Sequence, residues 1–283
     1  MVLVMKIVKS LDGFKWVIKN KDDVLVLNEG EYTVRLALIE YASKDKVFCD
    51  VGAHVGEYTV RMSKYYKQVI AIEPNPEALE VLRENLKINN ITNVIIIPKA
   101  CGDCKTTLIL YDRGGSSTFL NNYKTDKYYI VEVDKLDHLV EKVDVIKIDV
   151  EGYEEKVIRG AMRLIKYCKP IIVIEHHEFR GYEECKGMKE RIQKLLSDYY
   201  CLCLDDTHYA YIPKEHDLRN YPFTVFCHWI NKCLKNLQEG KAWYHGLPYT
   251  WWYGANLLDF MLALQKHLQI EDEWFKKIIE ENE

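Results

Sequence analysis

The sequence lacks the long apolar runs and the basic excess that mark two large classes of protein. No stretch of about 18 consecutive apolar residues occurs in the chain, so no transmembrane helix is expected. The formal net charge is −4 and the isoelectric point is about 6.2. A general nucleic-acid binder would present a basic face. We therefore expect no nucleic-acid partner.

The sequence also lacks the features of a secreted, disulfide-stabilised protein. Nine cysteines are scattered along the chain, and the odd number does not suggest a disulfide framework. The opening stretch MVLVMKIVKSLDGFKW is interrupted by lysine too soon to form a signal peptide. We expect a cytoplasmic protein with mostly reduced thiols.

The sequence does contain short apolar runs that alternate with helical patterns. Hydrophobic residues make up 48% of the chain, enough for a sizeable core. The runs that predict strands are KVFCDV (46–51), QVIAIEP (68–74), NVIIIPKA (93–100), KVDVIKIDV (142–150) and KPIIVIEHHE (169–178). Near-continuous apolar strands separated by helices predict an α/β fold, with a doubly wound, mostly parallel sheet covered on both faces.

The alternation divides the chain into three predicted parts. Residues 1–45 are a leading segment with a possible hairpin at Asp12-Gly13 and one helix. Residues 46–213 carry the α/β pattern, and CLCLDD and YAYIP are predicted as its late strands. Residues 214–283 read as a helical C-terminal extension around the aromatic stretch WYHGLPYTWWYGA. That stretch is compatible with packing of the C-terminal helices, with stacking on sugar rings, with a dimer contact or with docking to a membrane surface, and packing is the commonest role of such aromatics.

Four acidic residues fall at or near the carboxyl ends of predicted strands, namely Asp50, Glu73, Asp149 and Glu175. Ligands of doubly wound folds bind at this edge of the sheet. One such acid would be explained by a helix cap or by solvation. Four in equivalent positions predict a shared binding site.

The first of these strands and the loop after it, VFCDVGAHVGEYT, restrict the class of ligand that the site could bind. Its glycines permit close approach to the backbone, but His54 and Glu57 stand where a dinucleotide-binding loop would carry glycines. An acid before the loop, Asp50, suits a cationic ligand. Glu73, after the second strand, can accept hydrogen bonds from a ribose diol. A ribose joined to a cationic amino-acid group describes S-adenosylmethionine.

At this point the sequence resembles the FkbM family of S-adenosylmethionine-dependent methyltransferases. The motifs that carry the resemblance are VFCDVGAHVGEYT, VIAIEPNPEALEVLRENLKINN, VIKIDVEGYEEKVIRGA and KPIIVIEHHE, in this order. The resemblance implies a Rossmann-like class I methyltransferase fold. It also implies O-methylation of a hydroxyl on a sugar, glycan or small metabolite.

The resemblance implies a cofactor site at the ends of the first four strands of the sheet. The implied cofactor-binding residues are Asp50, Gly52, Ala53, His54, Gly56, Glu73, Pro74, Asn75, Ala100, Cys101 and Asp149. One departure from the family pattern is His54, where members usually carry asparagine.

Methyl transfer to a hydroxyl also needs a base at the acceptor oxygen. The predicted catalytic residues are His176, Asp149 and Glu151, with His176 as first choice because an unperturbed imidazole titrates near neutrality. His177 is a further candidate. A divalent metal held by Asp149, Glu175 and a histidine is an alternative that the spacing alone does not indicate, so no metal ligands are assigned.

Two other functions remain open at this stage. A nicotinamide-dependent oxidoreductase could use a similar sheet, although the glycine pattern is missing and Asp50 opposes a pyrophosphate. A non-catalytic cofactor-binding or interaction protein is the third possibility. The segment YDRGGSSTFL (111–120) is either a lid over the site or a plain surface loop.

Overall fold

A computed structural model describes residues 6–19, 32–120, 124–180 and 183–238 of the chain. The predicted C-terminal helix over ANLLDFMLALQKHLQIEDEWFKKIIEENE (255–283) and the aromatic stretch at 243–255 lie outside these residues. The described strands are β1 Lys6–Lys9, β2 Lys15–Ile18, β3 Val47–Val51, β4 Gln68–Ile72, β5 Val94–Ile97, β6 Ala100–Cys101, β7 Thr106–Tyr111, β8 Tyr128–Asp134, β9 Val145–Ile148, β10 Ile171–Glu175, β11 Tyr199–Cys203 and β12 His208–Pro213. The described α-helices are α1 Tyr32–Glu40, α2 Glu57–Met62, α3 Pro76–Ile88, α4 Leu136–Leu139, α5 Glu154–Arg159, α6 Met162–Cys168, α7 Met188–Leu195 and α8 Pro222–Gln238.

Seven strands form one central sheet in the order β11-β12-β10-β9-β3-β4-β5. The pairs from β10 through β5 are parallel, whereas β12 runs antiparallel to both of its neighbours. The α/β fold with a mostly parallel sheet is therefore confirmed. The chain leaves β3 toward β4 on one side and later returns as β9 on the other, which creates the crevice that such sheets use for ligands.

Apolar side chains cover both faces of this sheet. On one face, Ile146 and Ile148 of β9 pack with residues of α5, α6 and α7. On the other face, Val145 packs with residues of α1, α2 and α8. This arrangement explains why the central strands read as continuous apolar runs.

A second, three-stranded sheet of order β6-β8-β7 was not predicted from the sequence. Its strands β7 and β8 pair antiparallel and leave large apolar side chains in solvent, with Ile109 45% and Ile130 72% exposed. The third predicted run, 93–100, divides into β5 and the start of β6. None of the helices in the described part of the chain has the length and apolar character of a membrane span.

The leading segment and the start of the C-terminal extension both pack on the central sheet. Glu40 of α1 caps α8, because its carboxylate accepts hydrogen bonds from the backbone N–H groups of Phe223 at 2.7 Å and Thr224 at 3.1 Å. The β1–β2 hairpin forms around Asp12-Gly13, as predicted. The boundaries at residues 45 and 213 stay predictions.

The buried side chain of Asn85 in α3 forms hydrogen bonds to both the β1–β2 hairpin and the loop between β3 and α2. Its Oδ1 accepts a hydrogen bond from the Val17 N–H at 2.8 Å, and its Nδ2 donates to the Val55 carbonyl at 2.8 Å. We expect Asn85→Leu to lower the free energy of unfolding by about 2–4 kcal/mol, because two buried backbone groups lose their partners. Chemical denaturation measures this loss.

Asn89→Leu, at the C-cap of the same helix, is the matched control. Asn89 also bonds β2, through the backbone of Lys15, but in a solvent-exposed position. Its loss should be about 1 kcal/mol or less, since water replaces the partners. Equal losses for the two variants would contradict the role of Asn85.

Candidate active site

A cavity of about 330 Å³ opens at the carboxyl ends of β3, β4 and β9. Predicted residues that line it are Gly52, Ala53, His54, Glu73, Pro74, Asn75, Ala100, Cys101, Asp149 and Glu151. Glu175, the last residue of β10, also lines it. The structure therefore gathers residues from five predicted strand ends around one space.

The loop after β3 is shaped by backbone conformations that favour glycine. Gly52 has a φ of 85°, and a Cβ atom there would lie 1.8 Å from the Asp149 carbonyl oxygen, so a side chain is excluded. His54, although not glycine, has a φ of 48°. Gly56 does not line the cavity. A Cβ atom at this position would instead clash with the Leu82 side chain. Gly56 thus serves packing at the start of α2.

Glu73 is a buried carboxylate in the cavity wall. Its Oε2 accepts a hydrogen bond from the His54 N–H at 2.8 Å, and its Oε1 accepts one from the Asn75 N–H at 2.7 Å. Burial raises its pKa to about 7, although these two bonds oppose the rise. Asn75 in turn caps α3 by accepting from the backbone N–H of Glu77. The carboxylate is thus fixed in place, and each oxygen keeps a further lone pair for a ligand.

Asp50 lies beneath the cavity rather than in its wall. Its Oδ2 accepts a hydrogen bond from the Thr59 hydroxyl at 2.6 Å, and the residue is 1% exposed. Burial raises its pKa, while the nearby Lys147 acts in the opposite direction.

Lys147 is a buried cation that was not among the predicted site residues. It stands opposite Asp50 in the β3–β9 register, and its Nζ lies 4.4 Å from the centre of the Tyr58 ring. Nζ also lies 2.9 Å from Oδ2 of Asp149. Burial tends to raise the pKa of Asp149, but Lys147 and His177 outweigh it and lower that pKa. The one sequence feature that could have pointed to this residue is a single lysine inside the apolar run VIKI.

His177 lies beside the acids and is fully buried. Its Nδ1 is 2.8 Å from Oε1 of Glu154, and its Nε2 is 3.4 Å from Oε2 of Glu151 and 3.7 Å from Oδ1 of Asp149. Burial tends to lower its pKa, yet Glu154 and the other acids raise it to about 9. Burial and the charge of Asp149 raise the pKa of Glu175 to about 8.

His176, the first choice for the base, does not line the cavity. Its Nε2 is 3.0 Å from the Tyr211 hydroxyl, and its ring packs edge-on to Tyr209. Burial lowers its pKa to about 3. Because β10 ends at Glu175 and a 3₁₀ turn begins at His177, the two adjacent histidines have different surroundings.

The segment at 111–120 forms part of the cavity wall. Gly114, Gly115, Ser116, Ser117 and Phe119 line the space. The segment therefore closes one side of the site.

The methyltransferase FkbM domain model matches residues 50–211 of the chain. A hexuronic acid methyltransferase, AglP of Haloferax volcanii, is 29% identical over 161 residues, which cover 52% of this chain and 63% of that protein. The tRNA (guanine(37)-N(1))-methyltransferase Trm5b of Pyrococcus abyssi is 32% identical over 81 residues, or 29% and 24% of the two chains. The chain thus spans less than two thirds of the length of these curated relatives.

Among solved structures, an FkbM methyltransferase from Methylobacillus flagellatus is similar at 21% identity. The likeness covers 60% of this chain and 44% of that one, with a TM-score of 0.46.

The raised pKa of Glu73 predicts a pH-dependent stability. Between pH 4.5 and about 7 the folded protein holds a proton on Glu73 that the unfolded chain has released. Stability from this group is therefore lost as the pH rises through that range. From about pH 5 to about pH 8 the wild type should lose about 2–3 kcal/mol more than Glu73→Gln. Denaturant unfolding of both proteins at the two pH values measures the difference; parallel curves would contradict a raised pKa.

Proposed function

This chain belongs to the methyltransferase FkbM domain family, and from that premise we propose that it transfers a methyl group from S-adenosylmethionine to a hydroxyl of a sugar, glycan or small metabolite. The observation that carries the proposal is the cavity at the strand ends, with Glu73 fixed on one side and Asp149, Glu151 and Glu175 on the other. One side suits a nucleoside, and the other suits a reacting oxygen.

The hydrogen-bonding groups of the cavity support S-adenosylmethionine as the cofactor. Glu73 would accept hydrogen bonds from the ribose hydroxyls, each worth about 1.5–3 kcal/mol to a charged acceptor. The backbone at Gly52 and Ala53 would lie against the methionine part, where a side chain at Gly52 has no room. Ala100 and Cys101 would flank the adenine. S-adenosylmethionine supplies an activated methyl group on a sulfonium, so the protein mainly orients the reactants.

The charge of the cavity also supports a cationic cofactor. Its lining includes five carboxyl groups and two lysines. The carboxyl groups belong to Glu57, Glu73, Asp149, Glu151 and Glu175, and the lysines are Lys99 and Lys147. The raised pKa values of Glu73 and Glu175 leave these two groups partly protonated near neutral pH, whereas Asp149, with its lowered pKa, is ionised. An acidic lining attracts a sulfonium and an amino group, and it repels a pyrophosphate.

On the acceptor side we assign the base to Glu175 rather than His176. Glu175 ends β10 with its side chain in the cavity wall, whereas His176 contacts Tyr209 and Tyr211 instead. A base must lie within reach of the proton it accepts. Asp149 and Glu151 would orient the acceptor oxygen.

The proposed acceptor class takes its support from a comparison of two relatives. The first is the relative AglP, which matches 52% of this chain and is a hexuronic acid methyltransferase. A hexuronic acid carries hydroxyls and a carboxylate. The tRNA-modifying relative matches only 29% of the chain. Family membership counts against a nicotinamide oxidoreductase, and a non-catalytic binding protein is the alternative that turnover excludes.

Calorimetric titration with S-adenosylmethionine tests the cofactor. We expect Glu73→Ala to weaken binding by about tenfold or more, because the ribose loses a charged acceptor. Glu77→Ala is the matched control, since this carboxylate is exposed in the first turn of α3 and should not alter binding. NADH should give no heat. Binding that is indifferent to Glu73 would contradict the proposed site.

Labelled S-adenosylmethionine and a panel of neutral sugars and uronic acids test the reaction. We expect methyl transfer to at least one acceptor, with S-adenosylhomocysteine formed in equal amount. Glu175→Gln should lower kcat by about 10²–10⁴-fold while cofactor binding persists. His176→Gln should retain kcat within about threefold of the wild type, since this ring lies outside the cavity. The opposite ranking of the two variants would return the base to His176.

A further inference from the structure

We propose that Asp149, Glu151 and His177 bind a divalent metal ion at the acceptor side of the cavity. The proposal deepens the proposed function, on which it rests for the role of the metal but not for its binding. The three ligand atoms, one from each residue, lie within 4.8 Å of one another.

The separations between these atoms suit a shared ion better than direct hydrogen bonds. Nε2 of His177 is 3.4 Å from the Glu151 carboxylate and 3.7 Å from that of Asp149. Hydrogen bonds between nitrogen and oxygen are usually about 2.7–3.2 Å long. Ligands about 2.1 Å from a metal lie roughly 3.0–3.4 Å apart in octahedral or tetrahedral geometry. Small movements of the side chains would therefore complete the site.

The orientation of His177 is an independent indication. Its Nδ1 lies 2.8 Å from Oε1 of the fully buried Glu154, and this oxygen also accepts a hydrogen bond from the Gly152 N–H at 3.0 Å. The ring is therefore held with Nε2 directed at the acids. A carboxylate on the far nitrogen of the ring is the usual support of a metal-binding histidine.

Lys147 orients Asp149 in a comparable way. It binds Oδ2 of Asp149 at 2.9 Å, while Oδ1 of the same carboxylate lies toward His177. Asp149 and Glu151 line the cavity, so a ligand entering it would have access to an ion bound between them.

Two carboxylate oxygens and one imidazole favour Mg²⁺, Mn²⁺ or Zn²⁺ over softer metals. Such an ion would polarise an acceptor oxygen and make its proton easier to remove. It would also offset the negative charge of the surrounding acids. An acidic acceptor, such as a uronic acid, could then enter a cavity that otherwise repels it.

Manganese is a suitable probe, because free Mn(II) is quantified directly by its electron paramagnetic resonance signal. We expect metal-stripped wild-type protein to bind about one Mn(II) per chain, with competition from Mg(II) or Zn(II). Glu151→Gln and His177→Gln should each weaken binding by about tenfold or more. Glu132→Gln and His138→Gln change the same residue types outside the cavity and should leave it unaltered.

Absence of saturable binding up to roughly 1 mM Mn(II), or equal affinity in all five proteins, would overturn the metal site. Calorimetry with S-adenosylmethionine on the same preparations separates the two proposals. Cofactor binding without Mn(II) binding would remove the metal and leave the proposed function standing. Mn(II) binding without cofactor binding would do the reverse.

Discussion

The acidic side of the cavity depends on one buried cation. Lys147 is 2% exposed and lies on β9, paired with Asp50 of the neighbouring strand β3. A buried ammonium group is very costly unless it is paired, so acids must stay beside it. Asp149 and Asp50 are those acids, and the Tyr58 ring covers the same group. The lysine therefore fixes where the negative charge of the site lies and which oxygen of Asp149 remains available.

Near Lys147 and Asp149, several residues of the cavity loops adopt backbone conformations with positive φ values. Gly52 allows the loop after β3 to approach the carbonyl of Asp149 directly. Glu151 and His54, which are not glycines, have φ values of 54° and 48°. Such conformations cost about 1–2 kcal/mol each in residues with a side chain. Both residues line the cavity.

The sequence predicted the sheet and most of the cavity because both depend on local patterns. Apolar runs specify buried parallel strands, and the acids that follow them must meet at one edge. The small β6-β8-β7 sheet was not predicted because its exposed Ile109 and Ile130 break the usual alternation of buried apolar and exposed polar residues along a strand. The choice between His176 and His177 could not be made from sequence, since it depends on where β10 ends and a 3₁₀ turn begins. Lys147 was missed because a charge in an apolar run acquires meaning only from its neighbours on other strands.

The negative charge of the cavity connects the cofactor, the metal and the acceptor. Carboxylates that line a partly enclosed space repel one another, and each added cation relieves that repulsion. The sulfonium of the proposed cofactor would do so beside the loop after β3, and a divalent ion would do so near Asp149 and Glu151. An acceptor bearing a carboxylate is compatible with such a site only after the acids have been neutralised. If the proposed function holds, this electrostatics favours binding of the cations before the acidic acceptor.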